Sequence, residues 1–306
     1  MLNNRYEIIK PIKSGGFAEV YLAKDHNLGI NVALKRYHLE QMASKVGGIK
    51  NAEKYSVINE IRRAISFNHP NVARYYDAFR YEMASTFGKE HYEIGVVEYL
   101  ADGDLSDFIK RNGIGSEKVK NALIGILKGL EYLHSKQIIH RDIKENNILF
   151  DGDIPKIIDF GISKEVESNG SGSTSLLFST PGYLAPEQIE PNKYSVNGKV
   201  THNIDFWAFG VMLYYQFKKE LPFGTYGESE ESKSAFRMRV LTKDIEELDW
   251  TGIPSNFIQV IKRCLKKNAC ERVNKAQDLI DLLDHKAISH SRQVTMMVVS
   301  LQGQRS

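Results

Sequence analysis

The sequence predicts an α+β protein of two unequal lobes, a small β-rich lobe followed by a larger helical one. Three observations carry this. The first hundred residues hold short segments of β-branched and aromatic residues separated by turn signals. After Asp102-Gly103-Asp104 the apolar residues switch to helical spacing. Within the second part, the polar cluster His140-Arg141-Asp142-Ile143-Lys144-Glu145-Asn146-Asn147 lies between the apolar pairs Ile138-Ile139 and Ile148-Leu149. Burying such groups is costly unless they are paired or face a ligand, so this cluster is the first candidate site.

Taken in order, Tyr6–Ile12, Glu19–Ala23 and Asn31–Arg36 read as strands, with hairpin turns at Gly15-Gly16 and Asp25–Gly29. Residues 40–56 are polar and read as a loop or partial helix. Val57–Phe67 carries Val57, Ile61, Ala64 and Ile65 at helical spacing, and Asn68-His69-Pro70-Asn71 stops it. Strands follow at Ala73–Tyr81 and Tyr92–Leu100, and residues 99–104 read as the connector between lobes. Helices are expected at Leu105–Asn112 and Ser116–His134. In the second of these, Val119, Leu123, Ile126, Leu127, Leu130 and Leu133 form one stripe. Further helices are expected at Thr201–Lys218, Ser255–Leu265 and Lys275–Leu283.

With 306 residues the chain can bury a sizeable core, and its 42% hydrophobic and 26% charged content is that of a globular protein. A net charge of +3 with no basic stripe gives no argument for a nucleic-acid partner. Cys264 and Cys270 make no disulfide framework, which points to a reducing compartment. The stretch MLNNRYEIIKPIK lacks the apolar core of a signal peptide, and nothing approaches the ~18–20 consecutive apolar residues of a membrane span. The expectation is a soluble, cytoplasmic protein without membrane insertion. Glu167–Ser175 is a Ser/Gly-rich loop, and residues 286–306 form a tail of unknown role.

The polar cluster has companions. Lys35 ends the strand-like Val32-Ala33-Leu34, Asp159-Phe160-Gly161 follows the apolar run Ile154–Ile158, and Ala185-Pro186-Glu187 follows Pro181-Gly182-Tyr183. With Glu60, this ordered set resembles the eukaryotic-type protein kinases, serine/threonine branch, from about Tyr6 to about Leu283. The resemblance implies a bilobal kinase domain over 1–285, with an N-lobe to about 98, a hinge at about 99–104 and a C-lobe over about 105–285. It implies ATP and Mg²⁺ as cofactors and a protein substrate with a Ser or Thr acceptor. Asp142 would orient the acceptor hydroxyl and take its proton, and Lys144 would neutralise the moving phosphoryl group. Lys35, anchored by Glu60, would hold the α- and β-phosphates. Asn147 and Asp159 would hold magnesium, a hard cation suited to amide and carboxylate oxygens. Ile12, Val20 and Ala33 would roof the adenine pocket and Leu149 floor it, with Val97 at the back. Backbone groups of Glu98 and Leu100 would pair with the adenine edge, and Asp104 would reach the ribose. The glycine-rich loop keeps only Gly15 in register, since Lys13 and Ala18 occupy the outer glycine positions.

Lys144, two residues after the aspartate, and Thr180 carry the likeness to the serine/threonine branch, where that threonine bonds the aspartate and lysine. Glu145 stands where the family usually has proline, and Asn146 where it usually has glutamate. Neither position touches the chemistry in the family. Arg141 implies pairing with a phosphate on the loop from Asp159 to Glu187, with Thr174 or Ser175 as autophosphorylation or regulatory sites. Asp205 would bond the backbone of the catalytic loop, and Arg272 would pair with Glu187. Ala64, Tyr75, His140 and Phe160 would stack between the lobes. Ala64 is small for that role, which implies a loosely held helix and activity dependent on a regulatory partner. The alternative is a pseudokinase, acting as a nucleotide-binding scaffold or allosteric partner. A small-molecule phosphotransferase is disfavoured, because Ala185-Pro186-Glu187 supports a peptide-binding surface.

Overall fold

The computed structural model describes residues 1–15, 18–38, 56–85, 88–160 and 180–284. The N-terminal part is an antiparallel sheet of β1 (Tyr6–Ser14), β2 (Ala18–Asp25), β3 (Ile30–His38), β4 (Tyr75–Ser85) and β5 (Gly88–Glu98), in the order β1-β2-β3-β5-β4. Alternation along β3 decides which side chains meet the cleft. Val32 and Leu34 join Tyr6, Tyr92, Ile94 and Val96 on the outer face, while Ala33 belongs to the core on the other. Lys35 stands opposite Gly95 of β5 and Val20 of β2, and Ala33 opposite Val97. The outer face is closed by Arg5, whose guanidinium forks onto Asp25 at 2.9 and 2.8 Å and reaches Asp77 at 3.2 Å.

Helix α1, Ile58–Ala64, packs beneath the sheet and is shorter than the Val57–Phe67 expected. Its last turn tightens: Phe67 N–H donates to the Ala64 carbonyl at 3.0 Å, and the Ser66 hydroxyl donates to the Arg63 carbonyl at 2.8 Å. The second part is mainly helical. Helix α2 (Leu105–Asn112) starts on a capping box between Asp104 and Asp107, and α3 (Glu117–Ser135) starts on Ser116. Gly129 of α3 lets the backbone of Asn71 approach, since a Cβ there would lie 2.7 Å from the Asn71 carbonyl. That contact seats the hairpin of β6 (Ile148–Asp151) and β7 (Ile154–Ile157), because Ile157 N–H donates to the same carbonyl at 2.9 Å.

Beyond residue 180 come α4 (Pro186–Ile189) and α5 (Pro191–Tyr194), each opening on proline, which suits a first helical turn. Then follow α6 (Asn203–Lys218), α7 (Glu230–Thr242), α8 (Ser255–Cys264) and α9 (Ala276–Asp284). The sequence reading has no helix at α7, because only Phe236 and Val240 are buried there and the apolar period is thin. Cys264 is buried and Cys270 exposed, and both are free thiols. Among the described residues no helix is long and apolar enough to cross a membrane.

Candidate active site

The polar cluster is held from below by apolar side chains and one buried carboxylate. Ile143, Ile148 and Phe150 are fully buried on its two sides. Asp205, on α6, is fully buried and accepts from the amides of His140 at 2.8 Å and Arg141 at 2.7 Å, while His134 lies 2.8 Å away. Arg141 sits at φ 67°, a left-handed conformation that costs a non-glycine residue about 1–2 kcal/mol. The Asp205 bonds supply compensation for it, as expected at a functional site. The His140 ring is fixed in one tautomer. Its Nε2 faces the Ile158 carbonyl at 2.8 Å and must donate, and its Nδ1 accepts from the Asp142 amide at 3.2 Å.

Asp142 is the centre of the arrangement. Its Oδ1 accepts from the Thr180 hydroxyl at 2.7 Å and the Thr180 amide at 3.3 Å. Its Oδ2 accepts from Asn147 Nδ2 at 2.9 Å and lies 2.8 Å from Lys144 Nζ. Lys144 also donates to Thr180 Oγ1 at 2.6 Å, so the threonine hydroxyl accepts from one partner and donates to the other. A charged carboxylate, an ammonium and a hydroxyl thereby fix one another's positions.

Above this network, Lys35 is 8% exposed and donates to the carboxylate of Asp159. Asp159 stands just after β7 at φ 63°, a conformation that aspartate tolerates better than most residues. Asn147 is buried and commits its Nδ2 to the Asp142 carboxylate and carbonyl, which leaves its Oδ1 as the atom available to a ligand. Among the described residues no group of three His, Cys, Asp or Glu could hold a metal ion alone. One carboxylate and one amide oxygen suit magnesium, which takes few protein ligands and completes its shell with phosphate and water.

The cleft between the lobes has a volume of about 410 Å³, in the size range of small-molecule sites. Of the ten residues expected at the nucleotide, Ile12, Gly15, Val20, Ala33, Lys35, Val97, Glu98, Leu100 and Leu149 line it. Asp104 does not. Its Oδ1 caps α2 by accepting from the Asp107 amide at 3.0 Å, and its Oδ2 accepts from Asn146 Nδ2 at 2.7 Å. Asn146 takes the place on the wall, so the residue that departs from the family pattern faces the cleft. Glu145, the other departure, accepts from the Tyr183 hydroxyl at 2.6 Å. Asn146 therefore borders the cleft, a place that comparison with the family's usual residues does not reveal, while Glu145 ties the catalytic loop to Tyr183.

Glu60 stands on α1, and its side chain lies outside the described residues, as do Gly16, Gly161, Thr174 and Ser175. Tyr75, His140, Ala64 and Phe160 are all buried, and the Tyr75 and Phe160 rings meet edge-on at 5.4 Å. Phe67 adds a ring that the sequence reading omits, stacking on Phe160 at 5.9 Å. Arg272 reaches Glu187 through two bonds of 2.5 and 2.8 Å, with both side chains fully buried.

The family model for the protein kinase domain matches residues 6–286. This chain belongs to the protein kinase family. Among curated proteins, the serine/threonine-protein kinase cds1 of Schizosaccharomyces pombe is 30% identical over 90% of this chain and 58% of its own length. The Aurora kinase of the same organism is 32% identical over 89% of this chain and 69% of its own. The serine/threonine-protein kinase PrkC of Bacillus subtilis is 30% identical over 91% of this chain and 40% of its own. The kinase domain described here thus spans about half the length of several relatives it matches.

Proposed function

We propose that this kinase domain transfers the γ-phosphoryl group of ATP to serine or threonine hydroxyls of proteins. The observation that carries this is the four-membered network of Asp142, Lys144, Asn147 and Thr180 beneath a cleft that ends at Lys35 and Asp159. Adenine would lie between Ala33 and Leu149, against the backbone of Glu98 and Leu100. Lys35 would hold the α- and β-phosphates, with Glu60 as its anchor. Asp142 aligns the acceptor hydroxyl and takes its proton as the oxygen bonds to the γ-phosphorus. The bond from that phosphorus to the bridging oxygen breaks, and ADP leaves. Lys144, already tethered to Thr180, balances the charge on the moving group. Magnesium, when bound through Asp159 and Asn147 Oδ1, would neutralise the phosphate oxygens.

Lys144 and Thr180 support a serine or threonine acceptor, because both match the serine/threonine branch of the family and they bond each other and Asp142. Phosphorylation of Thr174 or Ser175 is proposed to order that loop through Arg141. Alanine at Ser171, Ser173, Thr174 and Ser175 together should then lower the rate, and an unchanged rate would discard this part.

The test is transfer of label from ATP to a general protein substrate. Wild type should transfer, Asp142→Ala should not, and Asp159→Asn should lose both transfer and magnesium-dependent nucleotide binding. Transfer by Asp142→Ala at the wild-type rate would refute the assignment. Nucleotide binding without transfer by wild type would favour the scaffold reading, toward which the altered glycine loop points.

A further inference from the structure

Strand β5 carries a carboxylate that the proposed reaction does not use. Glu93 is fully buried, where a charge is costly unless closely partnered. Its Oε1 accepts from the Ser56 hydroxyl at 2.7 Å and Arg80 Nε at 3.3 Å. Its Oε2 accepts from the Val57 amide at 2.7 Å and the Ile58 amide at 3.3 Å. Ser56, Val57 and Ile58 are the start of α1, where backbone N–H groups have no partner within the helix. Val57, the residue before the first turn, has no capping side chain of its own. The cap comes instead from a strand 35 residues further on.

Two residues along the same face of β5 stands Gly95. A Cβ there would lie 2.8 Å from Ile61 Cδ1, so the missing side chain is what lets Ile61 settle, 1% exposed, against the strand. Gly95 is also the cross-strand neighbour of Lys35, and Glu93 that of Tyr37. One short stretch of β5 therefore grips α1 at residues 57–58 and at 61, beside the lysine that meets the nucleotide. Glu60 lies between the two grips.

We propose that Glu93 is a positioning residue. Together with Gly95 it forms a seat that sets α1, and hence Glu60, over Lys35, so that the sheet itself aligns the pair. This inference rests on the reading above, in which Glu60 anchors Lys35. It also changes what the small Ala64 implies: the helix is held at its start by β5 as well as by the column between the lobes.

The test uses the full chain. Glu93→Gln keeps the shape but turns a donor toward other donors. Amide exchange at residues 57–61 should speed up about tenfold, and kcat/KM for MgATP should fall about tenfold or more, as expected for losing charged hydrogen bonds. If Glu93 acts through Glu60, the double variant Glu60→Gln/Glu93→Gln should transfer no more slowly than Glu60→Gln alone. A general loss of structure would instead multiply the two effects. Gly95→Ala provides an independent route, because it pushes on Ile61 without touching the carboxylate. It should lower activity several-fold, and Ile61→Val, which removes Cδ1, should restore much of it. Unchanged exchange in Glu93→Gln, or multiplying losses in the double variant, would overturn the proposal. A wild-type chain without transferase activity would instead refute the functional reading, while the exchange arm would still decide the seat.

Discussion

Replacing Arg272 by alanine should unfold the helical lobe at lower denaturant while leaving the catalytic side chains untouched. Arg272 and Glu187 are both fully out of solvent and are joined by two bonds. Arg272 also donates to the carbonyls of Lys266 at 2.9 Å, and of Asn203 and Lys267 at 3.2 Å each. Its guanidinium lies 5.0 Å from the centroid of Trp207. Truncation strands the Glu187 carboxylate in a dry interior, which costs about 3–5 kcal/mol when one member of a buried pair is removed. A domain has only about 5–15 kcal/mol of stability, so this is a large share. For a lobe of this size the melting temperature should fall by roughly 10 °C. Both tryptophans of the chain, Trp207 and Trp250, lie in this lobe, so intrinsic fluorescence in a urea titration follows it selectively. Adding Glu187→Gln to Arg272→Ala removes the stranded charge and should return about half of the loss, since three carbonyls still lack their donor. A cost below about 1 kcal/mol for Arg272→Ala, or a double variant weaker than the single, would refute the reasoning.

Two further outcomes follow from contacts elsewhere. Arg5, helped by the amides of Leu28 and Asn27, holds the Asp25 carboxyl below the usual carboxylate range. As pH falls the unfolded chain takes up a proton at this position before the folded chain does. The stability it contributes is therefore complete above pH ~5 and drains away below the unfolded value near ~3.9. The stability gap between wild type and Asp25→Asn should hold from about pH 6 to about pH 5 and then shrink steadily toward about pH 3 in denaturant titrations, and a gap constant throughout would contradict the assignment. Just before Ala185-Pro186-Glu187, to which the family likeness assigns the peptide-binding surface, burial pushes the Tyr183 hydroxyl well above its ordinary range, so it stays a donor to Glu145 through mildly alkaline pH. Tyr183→Phe and Glu145→Ala should each raise KM for a protein substrate about tenfold and leave KM for MgATP unchanged. The double variant should be no worse than either single one in steady-state kinetics.

The two lobes were legible because period-two and helical patterns are properties of consecutive residues. Strands β1, β2 and β3 and the long helices α3 and α6 fall within two residues of their expected ends, whereas β4 and β5 each run four residues further into the polar segment that joins them. Helix α7 was not legible, because it touches the core through only two buried residues. Phe67 was assigned to the end of a helix, and nothing in its neighbours indicates that its ring would stack on Phe160. Asp104 was expected at the ribose, where its register puts it. Its carboxylate is instead shared between a helix cap and Asn146, a competition that exists only once the hinge and the catalytic loop are side by side.

By itself the sequence determined the order of the five N-terminal strands and of the longer amphipathic helices, the family, and the identity of the chemically able side chains, since residue type and spacing are written along the chain. Only the tertiary structure decided which of those groups share partners. It brought Thr180 to Asp142 across 38 residues, Glu145 to Tyr183 across 38, and Glu93 to the start of α1 across 36. Hydrogen bonds reach about 3 Å in space whatever the distance along the chain. The contacts that hold the site in place therefore exist only after the sheet, the helices and the loop between them have packed.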